Sequence, residues 1–272
     1  AYGDPFVKSA IDVDLLVPED VVPAAANVLR TLGWRRVMPA FRETPLRRRW
    51  YDSVQKDDAF TGGRAKVELH RRLFNNRSLF NPSFDRLQAA AATVAIGTRR
   101  FRTLDDADQL LYLACHGALH FWYRLKWLCD FAALVGVMDR ETVRRALADG
   151  HRAGLGTVLA SALRLCREDL QAEIPAAGAS APAPGPRERF VVALSRRVWT
   201  PRSGVRRLGP KAAMRMGRGF LAGGLRYRLH EARALLIAHG DFARVNLPDR
   251  LFWLYPLVQP ALLAQRIFRG RL

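Results

Sequence analysis

Asp12 and Asp14 are separated by one residue within Ile11 to Val17, IDVDLLV, which alternates at first and then runs apolar, the pattern of a strand entering a covered sheet. Residues two apart on a strand project from one face, so both carboxylates converge on one point. Convergent carboxylates suit a hard divalent cation, and Mg²⁺ is commonly shared between one or two acids and substrate phosphates. A bare D-x-D says little, because an acid pair on a solvated strand face looks the same. A third acid changes the balance. Glu68, in KVELH, lies in another short apolar strand, Ala65 to Leu69, where a neighbouring strand brings it beside the pair. Three carboxylates around two metals about 3.5 to 4 Å apart align an attacking hydroxyl and a departing pyrophosphate for in-line displacement. Glu68 or one of the aspartates would also serve as the base that draws the hydroxyl proton.

Other side chains could assist such chemistry. Alternation puts His70 on the face of Glu68, which favours it over Arg71 as a group that reaches phosphates. His116 and His120 are four apart in a helical stretch, with Tyr112 one turn before and Arg124 one turn after, so the four share a face. Gly117 stands where a zinc-protease motif needs Glu, which leaves two readings, contacts to triphosphate or acceptor and a satisfied buried network. Arg47-Arg48-Arg49-Trp50 reads as an anion-holding cluster or as a solvated hairpin face.

The elements that must position these residues are a small sheet followed by helices, an α+β chain. After the Asp strand, acids and a proline at Pro18 to Asp20 precede a helical stretch over Ala24 to Leu32, stopped by Gly33. Extended pieces are expected at Trp34 to Met38 and Arg48 to Val54, then a turn at Thr61 to Gly63 and the Glu68 strand. From Leu104 the period changes to 3.6. Asp105 and Asp106 look like capping acids, and Leu110, Leu111, Ala114, Ala118, Phe121 and Leu125 predict one long helix, kinked near Gly117. Further helical pattern covers Asp130 to Val137, Arg140 to Ala148 and Leu155 to Leu170. The expected organisation is a catalytic core over 1–103, a helical domain packed on it over 104–171, an Ala/Pro/Gly linker or loop over 172–186, and a basic, mainly helical region over 187–272.

The chain of 272 residues is 49% apolar and 25% charged, an ordinary globular balance. Its net charge is +19, which predicts attraction to anionic partners. Residues 187–272 hold 18 basic and 4 acidic side chains, so +14 of the total sits in the last third. The apolar run Leu251 to Leu263 is broken by Pro256 and Pro260 and is too short to span a bilayer, although it fits peripheral contact with a membrane surface. Cys115, Cys129 and Cys166 show no close pairing and read as small buried side chains. No signal peptide is visible, and a cytoplasmic location is the default expectation.

The run KSAIDVDLLVPED, the helix ending LGW, the strand VELHR and the later stretch LLYLACHGALHFWYRLKWLCD together resemble the uncharacterised bacterial nucleotidyltransferases of the polymerase-beta-like superfamily, over roughly residues 2 to 137. The resemblance implies a small mixed-sheet core, a nucleoside triphosphate, ATP first, and Mg²⁺, with Mn²⁺ as the alternative. It matches Asp12 and Asp14 to the family's paired metal-binding aspartates and Glu68 to its third acid. It casts Lys8, His70, His116, His120 and Arg124 as contacts to the nucleotide. Superfamily members carry a Gly-Ser or Gly-Gly turn before the Asp pair to hold the triphosphate. Gly3-Asp4 lacks the Ser and lies too near Asp12, so that turn is expected upstream of Ala1. The implied reaction moves a nucleoside monophosphate onto a hydroxyl or phosphate of an anionic acceptor, a peptide or glycan intermediate. A toxin-like enzyme acting on tRNA and a catalytically degenerate protein that holds an anionic partner are the alternatives.

Overall fold

The computed structural model describes residues 12–174, 183–199, 214–215, 217–236, 242 and 245–268. Contacts divide the chain into two compact units. One combines the described residues of 12–77 and 229–268, and the other those of 78–228.

The first unit is built on a four-stranded sheet of β1 (Val13–Leu16), β2 (Arg35–Met38), β3 (Asp57–Gly62) and β4 (Ala65–His70), in the order β1-β4-β3-β2. β1 runs parallel to β4, while β4 with β3 and β3 with β2 are antiparallel, so the sheet is mixed as expected. Between β1 and β2 lies α1 (Val22–Thr31), and Gly33 ends it at φ +83°, a left-handed conformation that glycine adopts without strain. Val22, Ala26 and Leu29 of α1 pack on Phe60, Val67 and Leu69, which forms the core of the sheet's covered face. β1 itself is not covered as its apolar run predicts. Among the described residues it is an edge strand, with Val13 53% and Leu15 42% exposed.

The expected extended piece over Arg48 to Val54 is instead a helix, α2 (Pro45–Val54). The Thr44 hydroxyl accepts from the Arg47 backbone N–H, and Pro45 sets the first turn. Its buried side chains, Arg47, Trp50, Tyr51 and Val54, have helical spacing once Arg47 is counted among them. Arg47 is buried because its guanidinium donates to Asn246 Oδ1 (2.8 Å) and the Leu247 carbonyl (2.6 Å). Chain-terminal residues thus complete this unit. Phe242 and Tyr255 join Trp50 and Val54 in one cluster, with Phe242 5.1 Å from both the Phe41 and Trp50 rings. The broken apolar run becomes a short 3₁₀ helix, Asp249–Leu254, and the helix Tyr255–Phe268.

The second unit contains α3 (Phe84–Ala90), a two-stranded hairpin of β5 (Ala92–Ile96) and β6 (Arg99–Thr103), and a helical bundle. The bundle consists of α4 (Asp106–Leu119), α5 (Leu125–Val137), α6 (Arg140–Arg152), α7 (Gly156–Asp169) and α8 (Pro186–Trp199). Asp105 caps α4 by accepting from the Asp108 N–H at 2.7 Å. The single long helix expected from Leu104 onward is two helices. Phe121 and Trp122 adopt φ +47° and +51°, which breaks the helix after Leu119 and tucks both rings fully into the core. Gly117 makes room for this: a Cβ there would lie 2.0 Å from the Trp122 ring. Leu125, expected on the buried face, starts α5 and is exposed. Cys115 and Cys166 are buried as expected, but Cys129 is exposed, because the break rotates α5 out of the α4 periodicity. Among the described residues no helix is long and apolar enough to cross a membrane.

Candidate metal and active site

The parallel register of β1 and β4 places Asp14 directly beside Glu68, and Leu16 beside His70. Antiparallel β3 sets Asp57 opposite His70, Ala59 opposite Glu68 and Thr61 opposite Lys66. Because alternate residues share a face, Val67 and Leu69 point into the α1 core while Lys66, Glu68 and His70 line the other side. The sheet thus gathers the acids expected from the sequence onto one surface, with the small Ala59 side chain at its centre.

Ligand atoms of Asp14, Glu68 and His70 all lie within 4.8 Å of one another, close enough to share a metal ion. His70 Nε2 stands 3.5 Å from Asp14 Oδ1 and 3.4 Å from Glu68 Oε2. Asp12 enters the cluster through Lys66, whose ammonium is 3.5 Å from Asp12 Oδ2 and hydrogen-bonds Glu68 Oε1. Lys56 Nζ lies 3.5 Å from the same His70 nitrogen. Two carboxylates and an imidazole at this spacing fit a divalent cation, whereas Asp12, expected to converge with Asp14, is not among these three groups and meets them only through Lys66.

The protonation states follow from these contacts. The His70 hydrogen bond holds the Glu68 carboxyl down to about 2 against the opposing effect of burial, with Lys66 and Lys56 adding to the shift. Burial pushes Asp14 up, but His70 and Lys56 outweigh it and leave the carboxyl below the usual aspartate range. Burial depresses His70, yet its bonds to Asp14 and Glu68 prevail and raise its pKa. The Glu68 hydrogen bond raises Lys66 despite partial burial, and Asp12 adds to it. Asp57 is the exception: burial raises it above the ordinary value despite nearby Lys56 and His70. A carboxylate held near 2 is ionised at neutral pH and a poor proton acceptor, so Glu68 is poorly suited to acting as base.

Behind the site, Asp58 points to the opposite side of β3 and is 1% exposed. It accepts from Arg48 (2.9 and 3.1 Å) and Arg71 (2.9 Å), and Arg36 lies 3.4 Å away. The Arg47–Arg49 run is therefore neither a hairpin face nor an anion clamp as a whole. Arg47 and Arg48 anchor α2 internally, and Arg71, which follows His70, belongs to the same network.

Lys8 lies outside the described residues. In the other unit, His116 stacks between Tyr112 (5.8 Å) and His120 (5.0 Å), and Trp127 of α5 contacts both imidazoles at 4.9 Å. Arg124 does not share their helical face, because it caps α5 after the break, and its guanidinium lies 5.7 Å over the Trp127 ring. Lys66 and Asp57 border the cluster and were not singled out in the sequence. Lys66 was reachable by the alternation that singled out His70, whereas Asp57 depends on the pairing of β3, whose only signal in the sequence is the turn at Thr61 to Gly63.

The sequence model of the family described as "Uncharacterised nucleotidyltransferase" matches residues 1–171. No curated protein and no solved structure matches the chain.

Proposed function

The chain belongs to the uncharacterised nucleotidyltransferase family, and from that premise we propose a Mg²⁺-dependent enzyme that transfers AMP from ATP to an anionic acceptor. The observation that carries this reading is the in-register pair of Asp14 and Glu68 on adjacent parallel strands, with His70 completing a three-donor cluster. Asp12, Asp14 and Glu68 hold the metal, and His70 orients two of these carboxylates. Bound divalent metal supplies the positive charge that aligns the triphosphate and stabilises its leaving group. An acceptor hydroxyl or phosphate oxygen forms the new bond to the α-phosphorus, the bond to the bridging α–β oxygen breaks, and pyrophosphate departs. When a hydroxyl attacks, its proton passes to a base.

The excess of 18 basic over 4 acidic side chains in residues 187–272 supports an anionic acceptor, for which a peptide or glycan intermediate is the first choice. Lys8, His116, His120 and Arg124 are proposed contacts to nucleotide or acceptor. The partly buried imidazole and indole stack offers planar surfaces, and Arg124 a cation.

Incubation with α-labelled ATP, Mg²⁺ and acidic peptide, glycan phosphate or tRNA acceptors tests the proposal. Label should move to one acceptor class, and Asp12→Asn with Asp14→Asn should reduce transfer at least about a thousandfold. Transfer that survives the double substitution, or failure of the wild-type chain to bind any nucleoside triphosphate with Mg²⁺, overturns it.

A further inference from the structure

β4 carries Lys66, Glu68 and His70 on one face, so the acid cluster has a cation of its own built into the strand that supplies its central carboxylate. The Lys66 ammonium touches both Asp12, just ahead of β1, and Glu68 on β4. It therefore lies between two of the three acids proposed to hold the metal, on the Glu68 oxygen that does not face His70. Lys66 is 38% exposed at its side chain, on a flexible four-carbon stem, so it can leave by rotation without disturbing the strand.

We propose that Lys66 is a tethered counter-cation that bridges Asp12 and Glu68 before metal binds and must withdraw for a divalent ion to take its place. This inference rests on the metal-site reading. Two carboxylates that share one ammonium repel each other, and Glu68 is only 18% exposed, so solvent screens that repulsion incompletely. The ammonium removes the repulsion and holds the ligands near their working positions. A divalent ion held by Asp12 and Glu68 brings two charges to the same carboxylates, and the ammonium between them must give way to it. Metal binding therefore exchanges one cation for another rather than filling bare acids, which lowers apparent metal affinity and favours metal that arrives already neutralised by phosphate. Lys66 is on this view a positioning residue that sets metal affinity.

Mn²⁺ titrations followed by electron paramagnetic resonance, on the full chain without nucleotide, test this. Lys66→Met removes the competitor, and Mn²⁺ should bind at least about tenfold more tightly than to wild type. Lys66→Arg should bind about as weakly as wild type, and Lys66→Gln serves in place of Lys66→Met if the latter does not fold. A purely structural lysine predicts the opposite, since its loss would loosen the ligands and weaken binding. Equal or weaker Mn²⁺ affinity in the Met and Gln variants, with binding still abolished by Asp14→Asn, overturns the lysine's role alone. Mn²⁺ binding that is absent from wild type, or unaffected by Asp14→Asn, overturns the metal-site reading and the inference with it.

Discussion

Replacing Glu68 with glutamine tests whether the acid cluster is held together by charge. The folded chain brings the Glu68 carboxyl from 4.5 down to about 2 through the His70 hydrogen bond, with Lys66 and Lys56 assisting. At about 1.4 kcal/mol per pH unit this amounts to about 3 kcal/mol of preference for the ionised form in the folded state. The site opens to solvent on the side of Lys66 and Asp14, so screening reduces the effect to about 1.5 to 2 kcal/mol. Glutamine keeps the shape and one acceptor oxygen and removes the charge. Urea unfolding in EDTA at pH 7 should therefore show Glu68→Gln less stable by about that amount. The sign of the pH dependence is fixed by the depressed pKa. Wild type holds the advantage fully above about 4.5 and loses it as pH falls toward 2, where its own Glu68 becomes protonated. His70 works in the other direction, since its pKa is raised: its contribution is complete below 6.5 and is lost as pH rises through the folded value. Equal stability at pH 7, or a gap that persists unchanged at pH 2, would refute the reasoning.

Two further substitutions probe the scaffold. Asp58→Asn should cost about 3 kcal/mol in the same assay, because it leaves Arg48 and the buried Arg71 without their shared acid, although Asp52 and the Gln55 carbonyl still hold Arg71; a loss below about 1 kcal/mol would show that the network is not held by its charge. Gly117→Ala forces a methyl group into the ring of Trp122 and should destabilise the helical unit by at least about 1 to 3 kcal/mol, with altered near-ultraviolet circular dichroism from the displaced indole. A variant with wild-type stability and spectrum would mean that the helix break does not depend on this close approach.

The acids were readable because a strand's period of two is simple and the spacing D-x-D needs no long-range information. The same rule found His70. What remained hidden was set by partners far away in sequence. The helix over Pro45–Val54 looks extended because its inward positions include arginine, and arginine counts as inward only once Asn246 and the Leu247 carbonyl receive Arg47. β3, reading DDAFTG, carries two acids and a glycine, so its pattern suggests a turn; pairing on both sides by β2 and β4 overrides that local preference. The break between α4 and α5 is concealed for a different reason. Phe121 and Trp122 continue the apolar pattern, and burial at φ values of +47° and +51° has no signature in hydrophobicity.

The core and the site of this sheet are two results of one register. Val67 and Leu69 must face α1 to complete the cluster with Phe60, Val22, Ala26 and Leu29, and that commitment turns Lys66, Glu68 and His70 to the opposite face. Shifting β4 by one residue would bury a lysine, a glutamate and a histidine under α1 and expose the two aliphatic side chains, a loss on both faces at once. The hydrophobic effect therefore fixes the position of Glu68 beside Asp14 without any contribution from metal. Charge decides only how closely the acids approach. In the chain itself, Lys66 and His70 supply that charge from the same strand, so the acids are assembled in advance, and a cation bound as proposed would meet positioned oxygens rather than having to gather them.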